Sequence, residues 1–174
     1  GGDRVRFDIT AGTEAKVTVA SQAAERIYRS AGPFSELDVR LRVHAGAHMT
    51  WAPQETILFS GARLQRNIEV DIAQPGSVLL AESTVFGRIA SGEAMQGGGL
   101  RDFWRVRRDG RLIFSEATRL DDVSEACLRR PAVLQGASAA ALLLYVGPDT
   151  EARLSAVREA MESARSEIGA SAWN

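Results

Sequence analysis

Apolar and polar residues alternate with a period of two in short runs between Arg4 and Leu120. Val5, Phe7 and Ile9 form one run, Val17 and Val19 a second, Leu37, Val39, Leu41 and Val43 a third, and Ile68, Val70 and Ile72 a fourth. Such alternation sends successive side chains to opposite faces of a pleat, so each run predicts a strand with one buried face. Turns rich in Gly, Pro and Asp separate the runs. Phe103–Arg108, then Asp109-Gly110, then Arg111–Phe114 predicts a hairpin, because Asp-Gly suits the positive φ angles of a two-residue type I′ turn. No long helical periodicity falls between the runs. Parallel α/β folds need helices as crossovers, so the pattern argues for an all-β region over residues 1–121.

Past Asp121 the texture changes. A turn-rich stretch through Arg130-Pro131 leads to a strand-like segment from Ala139 to Val146, and Gly147-Pro148-Asp149 then opens a helix. Leu154, Val157, Met161, Ala164 and Ile168 recur at spacings of three and four, predicting one main helix near Thr150 to Ile168, with Asp149 as N-cap and Gly169 as the stop. The sequence leaves open whether this strand-helix unit, residues 137–168, packs onto the β region. With no low-complexity linker between them, the expectation is a single domain over 1–174.

Composition narrows the function classes. The chain has 174 residues, 45% hydrophobic and 25% charged, and a domain of this length buries about 70% of the surface its unfolded chain exposes. Lys+Arg of 21 against Asp+Glu of 22 leaves a net charge of −1, so no global field draws in nucleic acid or an anionic membrane. Lys16 is the only lysine; the arginines reflect either base composition or a demand for bidentate carboxylate contacts. Cys127 is the single cysteine, which forbids an intramolecular disulfide and reads as a small packed side chain or a reactive thiol. The longest largely apolar run, Ala137–Val146, falls short of the ~20 residues of a membrane span, and the first residues are unlike a signal peptide. A cytoplasmic location is expected, without membrane or nucleic-acid partners. Gly1 takes the place of an initiator methionine and the chain stops soon after a helix-like segment, so N- and C-terminal portions are expected to be missing.

Several chemistries lack their residues. Lys16 has neither the glycine before it nor the hydroxyl after it that a phosphate loop requires, and Gly97-Gly98-Gly99 opens no helix and reads as a turn. No Gly-x-Ser-x-Gly elbow occurs. Metal ligation rests on His44 and His48, spaced four apart around Gly46, which predicts a hairpin turn carrying either a weak metal pair or two exposed imidazoles. Glu55, Asp71, Glu82 and Glu93 allow three readings: solvated strand faces, weak oxygen ligands for a passing divalent cation, or paired carboxylates of a β-fold hydrolase.

Trp51-Ala52-Pro53-Gln54-Glu55-Thr56-Ile57-Leu58-Phe59-Ser60-Gly61-Ala62 is more particular. It resembles the W-x-P-Q-E-T-I-L-F-x-G-A stretch of the UreD (UreH) family of urease accessory proteins. Gly1-Gly2-Asp3 is similar to the start of that family's glycine-rich motif. Gln22-Ala23-Ala24, Tyr28-Arg29-Ser30, Gly87-Arg88-Ile89-Ala90-Ser91-Gly92-Glu93 and Arg107-Arg108-Asp109-Gly110 follow in the family's order. Met95 departs from it where an aromatic is frequent, which bears on packing beside Glu93.

The resemblance implies a mainly β, helix-poor, solenoid-like stack of short strands with one C-terminal helix. It further implies a non-enzymatic scaffold that works with UreF and UreG to deliver nickel to the urease apoprotein. No cofactor would be held tightly, and nickel would bind transiently at most. Partner-binding or ion-path candidates are Tyr28, Arg29, Gln54, Glu55, Asp71, Glu82, Arg88 and Glu93, with His44 and His48 as weak metal candidates. The alternatives to this reading are the hydrolase and a β-structured binding module unrelated to urease. Glu55, set among Trp51, Ile57, Leu58 and Phe59, is expected to need a cation partner such as Arg29 or Arg88.

Overall fold

The computed structural model describes residues 1–88 and 91–162. The chain winds through three successive turns: β1 (Arg4–Ala11), β2 (Lys16–Val19) and β3 (Glu25–Ile27); β4 (Ser35–Val43), β5 (His48–Trp51) and β6 (Thr56–Leu58); then β7 (Arg63–Ile72) and β8 (Ser77–Phe86). Equivalent strands of successive turns pair in parallel. One sheet runs β1-β4-β7 and continues into β9 (Gly99–Arg108) and β10 (Arg111–Leu120); the other joins β2, β5, β8, β6 and β3. The result is a β-solenoid of about three turns. Short corners carry the chain from one sheet to the facing one, which is how parallel pairing arises here without crossover helices.

β9 and β10 close one sheet as an antiparallel hairpin, whose Asp109 and Gly110 have φ of 48° and 78°, the positive pair a type I′ turn requires. β11 (Ala139–Val146) adds antiparallel to β8 along its whole length, so it is integral to the second sheet. α2 (Thr150–Glu162) follows from Asp149; the expected continuation to Ile168 and the Gly169 stop lie outside the described residues. A one-turn helix, α1 (Glu125–Leu128), adds to the single helix expected, and Ser124 caps it by accepting a bond from the Cys127 N–H at 3.4 Å. Four residues are too few for a helical period to show in the sequence.

His44 and His48 flank a corner between β4 and β5, which lie in different sheets, rather than a hairpin turn. Alternation identified β4, but it carries no information on which sheet the next strand joins.

The inward phases of β7, β8 and β9 determine the core. Ile68, Val70 and Ile72 join Val39, Leu41, Met49, Val78, Leu80, Trp104 and Val106 in one apolar cluster. Leu64, Leu58, Phe86, Met95, Leu100, Val123 and Leu128 form a second. Met95 is therefore a core side chain, and the packing beside Glu93 holds without an aromatic at that position. Between the two clusters the inward phase turns polar.

Candidate functional site

Three strands each place a polar side chain at an inward position: Arg66 on β7, Glu82 on β8 and Asp102 on β9. Apart from Thr84, the neighbours at two-residue spacing are apolar: Leu64 and Ile68, Leu80, Leu100 and Trp104. Arg66 Nε donates to Asp102 Oδ1 at 3.1 Å and Nη2 donates to Oδ2, a bidentate pair between adjacent strands. Across the core, Arg66 Nη1 donates to Glu82 Oε2, and Trp51 Nε1 donates to Glu82 Oε1 at 2.7 Å. Thr56 and Thr84, register partners on β6 and β8, extend this buried polar layer.

The backbone makes room for the layer. β8 is continuous, but its partner rung breaks at Ala52–Glu55. Trp51 pairs with Leu80 and Thr56 with Thr84, so four residues on one side span three on the other. Glu82 sits opposite that break, which the Trp51-to-Thr56 motif creates.

Two carboxylates share one guanidinium, so the fully ionised layer carries one excess negative charge. Only 2% of Arg66 and 5% of Glu82 is exposed, which makes that excess costly. Burial works against the Arg66 charge, but the Asp102 hydrogen bond and the charges of Asp102 and Glu82 outweigh it, holding the guanidinium protonated. Burial pushes the Glu82 carboxyl above the usual carboxylate range, against the Arg66 charge and the Trp51 bond. Burial thus favours the protonated form of Glu82.

A second group lies on the surface, where β3 and β6 end. Tyr28, Arg29, Phe59, Ser60, Gly92, Glu93 and Gln96 line a notch of about 570 Å³. Tyr28 meets Phe59 edge-on at 4.9 Å, and the Arg88 guanidinium lies over the Phe59 ring, 4.7 Å from its centroid. Arg88 donates to both Glu93 oxygens, at 3.1 and 3.2 Å, which holds Glu93 below the usual carboxylate range.

The remaining candidates stand apart from both groups. Glu55 is half-buried and, among the described residues, has no ion pair, so the expected salt bridge with Arg29 or Arg88 does not form; Arg88 pairs with Glu93 instead. Gln54 is exposed and its N–H donates to Ser21 Oγ at 2.8 Å. Asp71 is exposed on the outer face of the other sheet, in register with Arg42 and Arg107. Both ring nitrogens of His48 are within hydrogen-bond distance of hydroxyls, Ser77 at 2.8 Å and Thr50 at 3.2 Å, so its imidazole is already committed. Among the described residues no three His, Cys, Asp or Glu side chains come within reach of one metal ion, and no helix is long and apolar enough to cross a membrane. Cys127 is a half-buried free thiol.

Sequence reasoning missed Arg66 and Asp102. The signal was present: Arg66 continues the inward phase of Ile68, Val70 and Ile72, and Asp102 that of Trp104 and Val106.

The full span of residues 1–174 matches the family described as UreD urease accessory protein. The chain belongs to the UreD family. It is 51% identical over 99% of its length to the urease accessory protein UreD of Xanthobacter autotrophicus, covering 60% of that protein. It is 49% identical over its whole length to a UreD of Rhodopseudomonas palustris, covering 60% of it, and 49% identical over 99% to that of Azorhizobium caulinodans, covering 64%. The chain thus spans about three-fifths of the length of these UreD relatives. Family membership sets both groups in context: Tyr28, Arg29, Phe59, Gly92 and Glu93 of the notch, and the Trp51-to-Thr56 break facing Glu82, belong to the segments that resemble the family.

Proposed function

We propose that the chain is a single UreD-like domain acting in the cytoplasm as a non-catalytic scaffold. With UreF and UreG, it assists delivery of nickel to the urease apoprotein. Membership in the UreD family carries this reading, and the chemistry of the site supports it. The buried Glu82 and the partly buried Asp102 share Arg66, an arrangement unsuited to the separated acid and base of a glycosidase. Oxygen ligands hold a borderline cation such as nickel less tightly than His or Cys clusters, and an ion in transit must leave each site it enters. Nickel is cargo here, bound transiently. In this reading Glu55 and Glu82 belong to the ion path. Tyr28, Arg29, Gln54, Arg88 and Glu93 belong to partner contacts, and Asp71 serves the outer face.

Co-expression with UreF, UreG and urease apoprotein, in cells lacking their own UreD, tests it. Nickel-dependent urease activity and co-elution with UreF are expected from the wild type. Glu55→Gln should lower activation severalfold without moving the melting temperature, because Glu55 has no ion pair among the described residues to lose. Wild-type chain that neither restores activity nor co-elutes with UreF or apoprotein would overturn the proposal.

A further inference from the structure

Tyr28 is 59% exposed, an unusual position for a ring that is also held edge-on against another aromatic. Arg88 lies over the Phe59 ring, and its charge is already met by Glu93. Arg29 is different: it is exposed, and among the described residues no carboxylate pairs with it. Its stem is nevertheless held. The Arg29 backbone bridges to Ala62, and the stem lies over Gly61, where a Cβ would stand 3.0 Å from Arg29 Cγ and Nε. The notch therefore combines the Tyr28 and Phe59 rings, the Tyr28 ring exposed and held edge-on, with a positioned guanidinium that no carboxylate meets among the described residues. Arg29, Arg88 and Glu93 sum to one positive charge.

Tyrosine and arginine at the mouth of a recess are the side chains that carry most binding energy at protein interfaces, and guanidinium forks select carboxylates. We infer that the notch docks an extended segment of a partner protein bearing a carboxylate side chain beside a bulky apolar one. The carboxylate pairs with Arg29 and the apolar group packs on Tyr28 and Phe59. At about 570 Å³ the recess accommodates a few side chains rather than the face of a domain. A second copy of this chain fits less well, since a twofold contact would set one positive rim against another. The inference rests on the scaffold reading only in taking the occupant to be a protein segment.

Peptide display against the full chain tests it, followed by anisotropy titration of the selected peptides. Selected sequences should share an acidic residue next to Leu, Phe or Trp. Arg29→Glu and Tyr28→Ala should each weaken binding at least tenfold, and replacing the peptide's acidic residue with Lys should restore binding to Arg29→Glu. Three results would overturn the inference: peptides with no acidic requirement, undiminished binding to Arg29→Glu, or concentration-dependent self-association that Arg29→Glu abolishes. If the charge swap fails while wild type still supports urease activation, the notch inference falls and the scaffold reading stands. If the swap holds but wild type supports no activation, the reverse is true.

Discussion

Arg66 has more influence on the interior than any other single polar side chain described. It bridges Asp102 within one sheet and Glu82 across the core, so removing it leaves a buried and a partly buried carboxylate without their cation. Breaking a buried ion pair from one side typically costs about 3–5 kcal/mol, because the surviving charge keeps its desolvation penalty and loses its partner. Arg66→Met fills similar volume without charge and should therefore destabilise by about that amount, read from urea denaturation at neutral pH. A loss below about 1 kcal/mol would mean that water or a bound cation already reaches the layer. Exposed pairs at the periphery, such as Arg4 with Glu36 and Arg40 with Glu69, are open to screening and belong to a weaker class.

At the scale of elements, the solenoid depends on close backbone approach at its corners. Gly98, which precedes β9, has φ of +126°, and a Cβ there would meet the Ala62 carbonyl oxygen at 2.4 Å. Both the backbone angle and the space exclude a side chain, so Gly98→Ala should cost about 2 kcal/mol or more in thermal unfolding. Gly12→Ala, with nothing within 4 Å of the added carbon, should change stability little. The strands themselves were legible in the sequence, because alternation in β4, β7 and β9 reflects one buried face. The sheet each strand joins was not, which is why the His44–His48 corner reads as a hairpin until the layers are seen. The candidate site was half legible. Glu82 stands out only as one of several carboxylate candidates, and Tyr28, Arg29, Phe59, Ser60, Gly92 and Glu93 lie within recognisable motifs, whereas Arg66 and Asp102 are seen only when a polar residue at an inward phase is read as a buried partner. The Glu55 pairing failed with Arg88 because Glu93, five residues along the chain, holds that guanidinium; Arg29 stays without a carboxylate among the described residues.

For the whole molecule, the polar layer is where stability and function diverge. It lies between the two apolar clusters of the interior. Replacing a buried ionic triad with well-packed apolar residues is often neutral or stabilising by about 1–4 kcal/mol, because no charge is then desolvated. The triple variant Arg66→Met, Glu82→Leu, Asp102→Leu should accordingly fold with stability equal to or above that of the wild type, and Trp51 would lose only its acceptor. If the layer is part of the nickel route, the same variant should fail to support urease activation while still co-eluting with UreF, since the notch lies outside the core and is unchanged. Urea denaturation, co-elution and nickel-dependent urease activity, measured on one preparation, separate the possibilities. A stable triple variant that activates urease normally would take the interior out of the nickel path and leave the surface as the working part of the protein.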